Sequence, residues 1–215
     1  MGIIEFLADV LRNVLVWLAG ATNSSGLAII LLTFGIRLVL YPLTLSQTRS
    51  MVAMRALQPK MQELQRKYKD KPQEYQKRVM ELYKEHGVNP LGGCLPMLVQ
   101  LPFLWALFWV LREFPEGLDP HFLVWNLAEA ASEPLFLLPA LAGLTTYIQM
   151  AMTTGSDQSQ KVMMTIMPIF IGWLSISFPA GLVLYWTVSN VFSIGQQYLV
   201  NKQMEAGSPG GAKSG

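Results

Sequence analysis

Residues 162–201, VMMTIMPIFIGWLSISFPAGLVLYWTVSNVFSIGQQYLVN, form a run of 40 residues without Asp, Glu, Lys or Arg. A bilayer core about 30 Å thick needs about 20 apolar residues per helix, so this run is long enough to cross a membrane twice. Phe178-Pro179-Ala180-Gly181 lies near its middle, where Pro and Gly favour a sharp reversal. The run therefore predicts an all-α membrane protein with two of its spans over residues 162–177 and 182–200.

Three further spans are predicted toward the N-terminus. Charge-free runs over residues 88–111 and 134–156 predict spans at 95–111 and 135–152, and an apolar stretch predicts a first span at 27–45, after a polar turn at residues 21–26. The whole chain of 215 residues is 52% hydrophobic and 14% charged, whereas soluble domains have about 25% charged residues. A net charge of +2 also argues against a nucleic-acid-binding protein, and one cysteine excludes an internal disulfide.

Two amphipathic segments accompany the spans. Residues 1–20 place Glu5, Asp9, Arg12 and Asn13 on one helical face, which predicts an interfacial helix in the membrane plane. A cleaved signal peptide is the alternative, although the first charges here are acidic. Residues 46–90 carry an excess of Lys and Arg, with apolar residues at helical spacing, and predict a basic helical hairpin.

The distribution of charge predicts the orientation in the membrane. Basic segments stay on the cytoplasmic side, which places the hairpin and the C-terminus inside and the N-terminus outside. The acidic segment 112–134 is then an extracytoplasmic connection, residues 153–161 a cytoplasmic loop and residues 201–215 a disordered cytoplasmic tail. We therefore predict a multi-pass membrane protein in this orientation.

Arg37 is the residue that most needs a functional explanation. A cation in the middle of a span costs about 2.5–3.5 kcal/mol on insertion scales, so polar groups are expected to face it. One helical face carries Arg37 together with Thr33, Tyr41 and Thr44, and other spans supply further polar residues that predict a hydrophilic substrate groove: Gln100, Thr146, Gln149, Asn190 and Ser193. Pairing with a carboxylate or snorkelling to a headgroup are the alternatives for Arg37, but the predicted spans contain no Asp or Glu.

Catalytic motifs are missing from the sequence. The two histidines, His86 and His121, lie outside the predicted spans, and no zinc-protease, phosphate-loop or nucleophile-elbow motif is present. Lys161 with nearby serines resembles a Ser/Lys dyad only weakly, because it lies at the edge of a predicted span. Cys94 follows Gly92 and Gly93 and favours a packing role over a nucleophilic one. We predict no enzyme activity, no metal and no cofactor.

Two motifs around the hairpin are similar to a known family. KYKD at residues 67–70 and YKEHGVNPLGGCLP at residues 83–96 closely resemble the bacterial YidC-type membrane protein insertases, the YidC/Oxa/Alb family. An arginine in the first span, a hairpin after it, and Tyr185-Trp186 with Asn190 in the last span agree with that resemblance. The likeness covers essentially residues 1–203, as a short form without a large periplasmic domain.

The resemblance implies five spans around a hydrophilic groove that is open to the cytoplasm and lipid and closed toward the outside. Such proteins insert and fold nascent membrane proteins without nucleotide hydrolysis, alone in a Sec-independent manner or beside the Sec translocon. By this likeness Arg37 is the groove arginine, with Gln149 and Trp186 as neighbours. The implied partners are nascent membrane proteins and membrane lipid, with the Sec translocon, the ribosome and signal-recognition machinery as further candidates.

Two rival functions remain open at this point. A small anion transporter or channel would also use an arginine-lined cavity, although the paired repeats typical of transporters are not visible. A passive assembly scaffold would need no water-accessible groove. Water accessibility at positions 33, 37 and 149 distinguishes the scaffold from the insertase.

Overall fold

A computed structural model describes residues 2–88, 95–131, 136–153 and 158–207, with side chains except at 95–98, 153, 158–161 and 204–207. Residues 89–94 of the second motif, including Cys94, the centre of the predicted loop 153–161, the side chain of Lys161 and the last eight residues lie outside this description. The described part forms α1 (Ile3–Thr22), α2 (Ser25–Val39), α3 (Tyr41–Ala56), α4 (Gln58–Lys67), α5 (Pro72–Glu85), α6 (Leu95–Arg112), β1 (His121–Phe122), β2 (Trp125–Asn126), α7 (Leu137–Thr153), α8 (Gln158–Ser175) and α9 (Ala180–Gly207).

The N-terminal helix α1 packs on α2 and α6. It buries Leu11, Leu15 and Ala19 and runs two residues beyond the predicted boundary at 20. The predicted turn over residues 21–26 shrinks to two residues, because Asn23 adopts the left-handed conformation and the Ser24 hydroxyl accepts a bond from the Leu27 N–H, which starts α2 at once.

The predicted first span at 27–45 is not one continuous helix. It breaks at Leu40, and α2 and α3 meet at a bend of 69°. Pro42 is the second residue of α3, and a proline has no N–H to continue the hydrogen bonds of the preceding helix. Within the described residues, this bent pair is the one candidate with the length and composition to cross a bilayer, and no single helix meets that requirement alone. The prediction of five spans remains a prediction.

Helices α7, α8 and α9 form the most extensive packing of the bundle, and α2 packs on α9. Helix α9 continues to Gly207, so residues 201–207 of the predicted disordered tail are helical. No glycine or proline interrupts this segment before Gly207, and the Gln197 amide donates to the Asn201 side chain at 2.9 Å. Residues 208–215 lie outside the described part of the chain.

The connection between α6 and α7 covers the end of the bundle at which α2 and α9 begin, which we name the connection end. Its two-stranded ribbon, β1 with β2, was not predicted. The Ser25 hydroxyl donates to the Asp119 carbonyl at 2.5 Å, and the Gly181 N–H donates to the Leu127 carbonyl at 2.9 Å. The Ala131 N–H donates to the Phe178 carbonyl at 2.9 Å, so the connection also holds the reversal between α8 and α9.

Helices α4 and α5 form a separate pair at the opposite, hairpin end. They run antiparallel, because the start of α4 meets the end of α5: Lys60 Nζ lies 2.9 Å from His86 Nε2, and the Tyr83 hydroxyl donates to Met61 Sδ. A small apolar core centred on Leu57, Leu82 and Tyr83 joins the two helices. Helix α3 extends to Ala56, into the region predicted as hairpin.

We expect Gly143→Val to destabilise the protein by about 1–3 kcal/mol, because a Cβ at Gly143 would lie 3.1 Å from the Pro168 carbonyl where α7 and α8 cross. Thermal unfolding in detergent measures the change. Gly195→Val is the matched control, since a Cβ at Gly195 of α9 meets nothing within 4 Å. Equal unfolding midpoints for the two variants would contradict this close crossing.

Candidate functional site

Arg37 lies in the last turn of α2, immediately before the break. Its side chain is half buried, and Nε is shielded from solvent with no hydrogen-bond partner among the described residues. Arg37 interacts electrostatically with Tyr185 on α9. None of the ion pairs in the described part of the chain involves Arg37. The alternative of a bundle-locking carboxylate pair therefore has no support in these residues.

Tyr185 links two helices beside Arg37. The Gln100 amide of α6 donates to its hydroxyl, and the Tyr185 side chain is almost fully buried. Burying a phenol in this way requires a partner for the hydroxyl, because an unsatisfied polar group inside a protein costs about 1–3 kcal/mol. Gln100 thus joins α6 to α9 at the level of the arginine.

A polar layer lies between α7 and α9. It consists of Thr145, Thr146, Gln149, Trp186 and Asn190. The Asn190 amide donates to Gln149 Oε1 at 2.8 Å, and its oxygen accepts from the Trp186 indole N–H at 3.2 Å, an orientation assigned because it pairs donors with acceptors. The indole N–H also lies 3.1 Å from the Thr146 hydroxyl. Within membrane helices such bonds hold neighbouring helices together.

A third polar contact lies nearer the hairpin end. The Gln196 amide of α9 donates to the Thr44 hydroxyl of α3 at 3.1 Å. Gln47 and Thr48, also on α3, are buried. The Arg55 guanidinium, at the end of α3, donates to the Met152 carbonyl at 2.8 Å. This bond ties α3 to the C-terminal end of α7, where carbonyl groups lack helical partners.

The predicted groove residues divide into groups. Gln100 lies on α6 at the level of Arg37, and Thr146, Gln149, Trp186 and Asn190 come together in the α7–α9 layer. The predicted single stripe on the first span is wrong, because the 69° bend places Thr33 and Arg37 on α2 but Tyr41 and Thr44 on α3.

Two predicted groove hydroxyls bond to their own helices. The Thr33 hydroxyl donates to the Ile29 carbonyl at 2.7 Å in a site with no solvent exposure. The Ser193 hydroxyl donates to the Ser189 carbonyl at 3.0 Å. Thr33 therefore does not line a solvent-accessible surface in this structure.

Sequence reasoning missed several residues of these clusters, among them Tyr185, Thr145, Gln47, Arg55 and Gln196. Tyr185 was named from the sequence only as part of the family resemblance and not as a groove residue. A signal was present, because Tyr185, Ser189 and Gln196 are separated by four and seven residues and share one face of α9. The tyrosine was overlooked because an aromatic residue in an apolar run resembles ordinary packing.

The outer faces of the bundle are apolar. Large exposed side chains occur on α2, α7 and α8, among them Leu31, Leu144 and Ile169, while Thr, Asn and Gln side chains lie inside. Within the described residues no group of three His, Cys, Asp or Glu side chains could hold a metal ion. A polar interior behind a lipid-compatible surface is the arrangement of a helical membrane protein.

Comparison with known proteins gives the family. A model of the 60Kd inner membrane protein family matches residues 17–207. The chain belongs to this family, and the relatives that it matches identify it as a YidC-type member. It is 42% identical over 207 residues to the membrane protein insertase YidC of Wolinella succinogenes, a match covering 95% of this chain and 39% of that protein. The YidC of Francisella tularensis subsp. novicida is 41% identical over 206 residues, covering 95% and 37%.

A solved structure agrees with these matches. The crystal structure of an active YidC insertase with its first transmembrane domain resolved superposes with a TM-score of 0.76 at 31% identity, covering 92% of this chain and 47% of that one. The chain thus spans about two fifths of the length of the curated relatives and about half of the solved structure.

Proposed function

We propose that this chain is a membrane protein insertase that moves polar segments of nascent membrane proteins past a positively charged groove into the bacterial plasma membrane. The observation that carries the proposal is Arg37: a half-buried guanidinium without a carboxylate partner among the described residues, which interacts with Tyr185, itself bonded to Gln100. The names of the matched relatives support the same activity.

The groove lowers the barrier for a polar segment by replacing part of its lost hydration. Unpaired polar groups in hydrocarbon cost several kcal/mol each, and hydrogen-bonding side chains beside the path reduce that cost. Arg37 attracts acidic residues of the segment, and the α7–α9 layer offers donors and acceptors. The apolar helix of the substrate leaves sideways into lipid.

Burial of the new helix supplies the free energy. Each methylene transferred from water to hydrocarbon contributes about 0.8 kcal/mol, so a helix of about 20 apolar residues inserts without nucleotide hydrolysis. The protein therefore acts on the rate of insertion, and we propose no enzyme activity for it.

The basic hairpin is proposed as the cytoplasmic entrance, with the N-terminus outside and the C-terminus inside. Lys and Arg outnumber Asp and Glu over residues 49–85 by ten to five, which suits anionic lipid and negatively charged partners. The ribosome, the Sec translocon and signal-recognition machinery are candidate partners at this end, and nascent membrane proteins are the substrates.

The deciding experiment reconstitutes the purified chain in liposomes with a short single-span substrate. Protease protection of the substrate measures insertion, and anion flux is recorded in the same vesicles. We expect protection well above that of empty liposomes, without flux. A matched preparation of heat-denatured protein controls for adsorption of the substrate.

Flux without insertion would replace the proposal with an anion transporter. Neither flux nor insertion, from a preparation that unfolds cooperatively and is therefore folded, would favour a passive scaffold. In that case, a label at position 149 that water cannot reach would show that there is no water-accessible groove.

A further inference from the structure

The tip of the β1–β2 ribbon is unusual for a surface turn. Leu123 and Val124 form its two-residue loop, and they are 79% and 64% exposed. Surface loops of this kind normally carry Asn, Asp or Gly. Here both side chains of the loop are aliphatic.

The backbone conformation at the tip makes leucine an unexpected residue at position 123. Leu123 has a φ of 56°, in the left-handed region that glycine and asparagine adopt easily and bulky residues avoid. Glycine is the usual residue at the first position of a two-residue hairpin loop with this geometry. A leucine held there in strain, with its side chain exposed, points to contact with something outside the chain.

Exposed tryptophans lie at the same end of the bundle as the tip. Trp109 lies one turn before α6 ends in the connection, Trp173 lies in the last turn of α8, and Trp17 is exposed near the end of α1. All three belong to the connection end. Tryptophan is enriched at membrane–water interfaces, because its ring is apolar and its N–H is polar.

The ribbon rests on the start of α2. The Phe122 ring occupies the space where a Cβ of Gly26 would lie, so β1 sits directly on the first turn of α2. The next residue of α2, Leu27, is exposed, and so is Leu31 one turn on. The tip and these exposed leucines of α2 therefore belong to the same end of the bundle.

We propose that Leu123 and Val124 form a lipid anchor that dips into the bilayer interface and fastens the connection to the membrane at the connection end. The proposal rests on the membrane location that the proposed function requires. Its ligand is the apolar boundary beneath the headgroups, with no requirement for a particular headgroup. The polar base of the connection, where Asp119 accepts a hydrogen bond from the His121 N–H at 2.9 Å, stays in water.

Spin labels test the placement of the tip. In a Cys94→Ala background, single cysteines at positions 123, 124, 116, 130 and 169 are labelled, and the protein is reconstituted in phosphatidylethanolamine–phosphatidylglycerol vesicles. Relaxation by oxygen reports contact with lipid, and relaxation by a water-soluble nickel chelate reports contact with water. Positions 123 and 124 are expected to favour oxygen several-fold, as does exposed Ile169 on α8, whereas Glu116 and Ala130 in the same connection favour nickel.

Two results would overturn the anchor. Labels at 123 and 124 that respond to nickel like Glu116 place the tip in water, and labels shielded from both reagents place it against protein. If Ile169 also responds to nickel, the membrane location fails, and the proposed function fails with it.

A second variant separates anchoring from folding. Leu123→Gly suits the positive φ, so the unfolding midpoint in detergent is expected to stay the same or rise, while a label at 124 loses oxygen contact at least twofold. A lower midpoint would show that Leu123 stabilises the fold itself, and the anchor would be rejected.

Discussion

Arg37→Ala is expected to slow insertion about tenfold or more for a substrate whose translocated segment is acidic. A hydrogen bond to a charged group contributes about 1.5–3 kcal/mol, and about 1.4 kcal/mol of lost stabilisation in the transition state is a factor of ten in rate. The half-buried guanidinium has no carboxylate partner among the described residues, so its favourable charge interaction is free for the substrate. Protease protection in liposomes, followed over time, measures the rate.

The controls distinguish a binding role from a structural one. Arg37→Lys keeps the charge and is expected to retain much of the activity. Arg37→Ala removes a buried Nε that lacks a partner in the described structure, so the unfolding midpoint should not fall. A substrate with a neutral tail should lose less than the acidic one. Equal rates for wild type, Arg37→Ala and Arg37→Lys would remove the arginine from the mechanism.

Gly26→Val is expected to have the largest structural effect, lowering the free energy of unfolding by about 3 kcal/mol. A Cβ at Gly26 would lie 1.9 Å from Cγ of the Phe122 ring, so the ribbon must move off α2. Overpacking of this kind costs typically 1–3 kcal/mol and sometimes more. For a chain of this size, the midpoint should fall by roughly 6–12 °C, since each kcal/mol shifts it by about 2–4 °C. Thermal unfolding in detergent, with limited proteolysis of residues 113–131, reports both effects.

A second substitution tests the cause. Phe122→Ala makes room for the valine, so Gly26→Val combined with Phe122→Ala should be less destabilised than the two single changes added together. Gly35→Val on the same helix is the control, because a Cβ there meets nothing within 4 Å. Additive losses would show that Gly26 and Phe122 do not share a contact, and the described seating of the connection would be wrong.

The close contact between Gly26 and Phe122 illustrates a limit of prediction from sequence. Glycine near a helix start is common, and nothing in the sequence connects residue 26 with residue 122. The same is true of Ser25 and Asp119, whose hydrogen bond joins residues 94 positions apart. Contacts of this kind depend on how the connection folds back over the bundle, which local patterns do not encode.

The candidate site was partly predictable. The predicted segments overlap α6 to α9, because the absence of charge is a local property, but α8 begins four residues before and α9 ends seven residues after the predicted bounds. Arg37 was recognisable as an isolated cation in an apolar stretch. Asn190 and Gln149 were recognisable as polar residues on otherwise apolar helices. The grouping of Thr145 and Trp186 with Asn190 required the α7–α9 contact, and the Gln100 bond to Tyr185 required α6 beside α9.

The sequence alone determined the helical class, the basic hairpin, the unpaired arginine and the family, because hydropathy, charge and contiguous motifs are written along the chain. Pro42 is also visible in the sequence, but only the tertiary structure decided that the bend between α2 and α3 is 69°, that it places Arg37 and Thr44 on different helices, and that Leu123 projects from the connection. The physical reason is that the angle of a bend and the exposure of a side chain depend on which helices pack together. Helix packing is selected by the fit of side chains distant in sequence, such as Phe122 on Gly26.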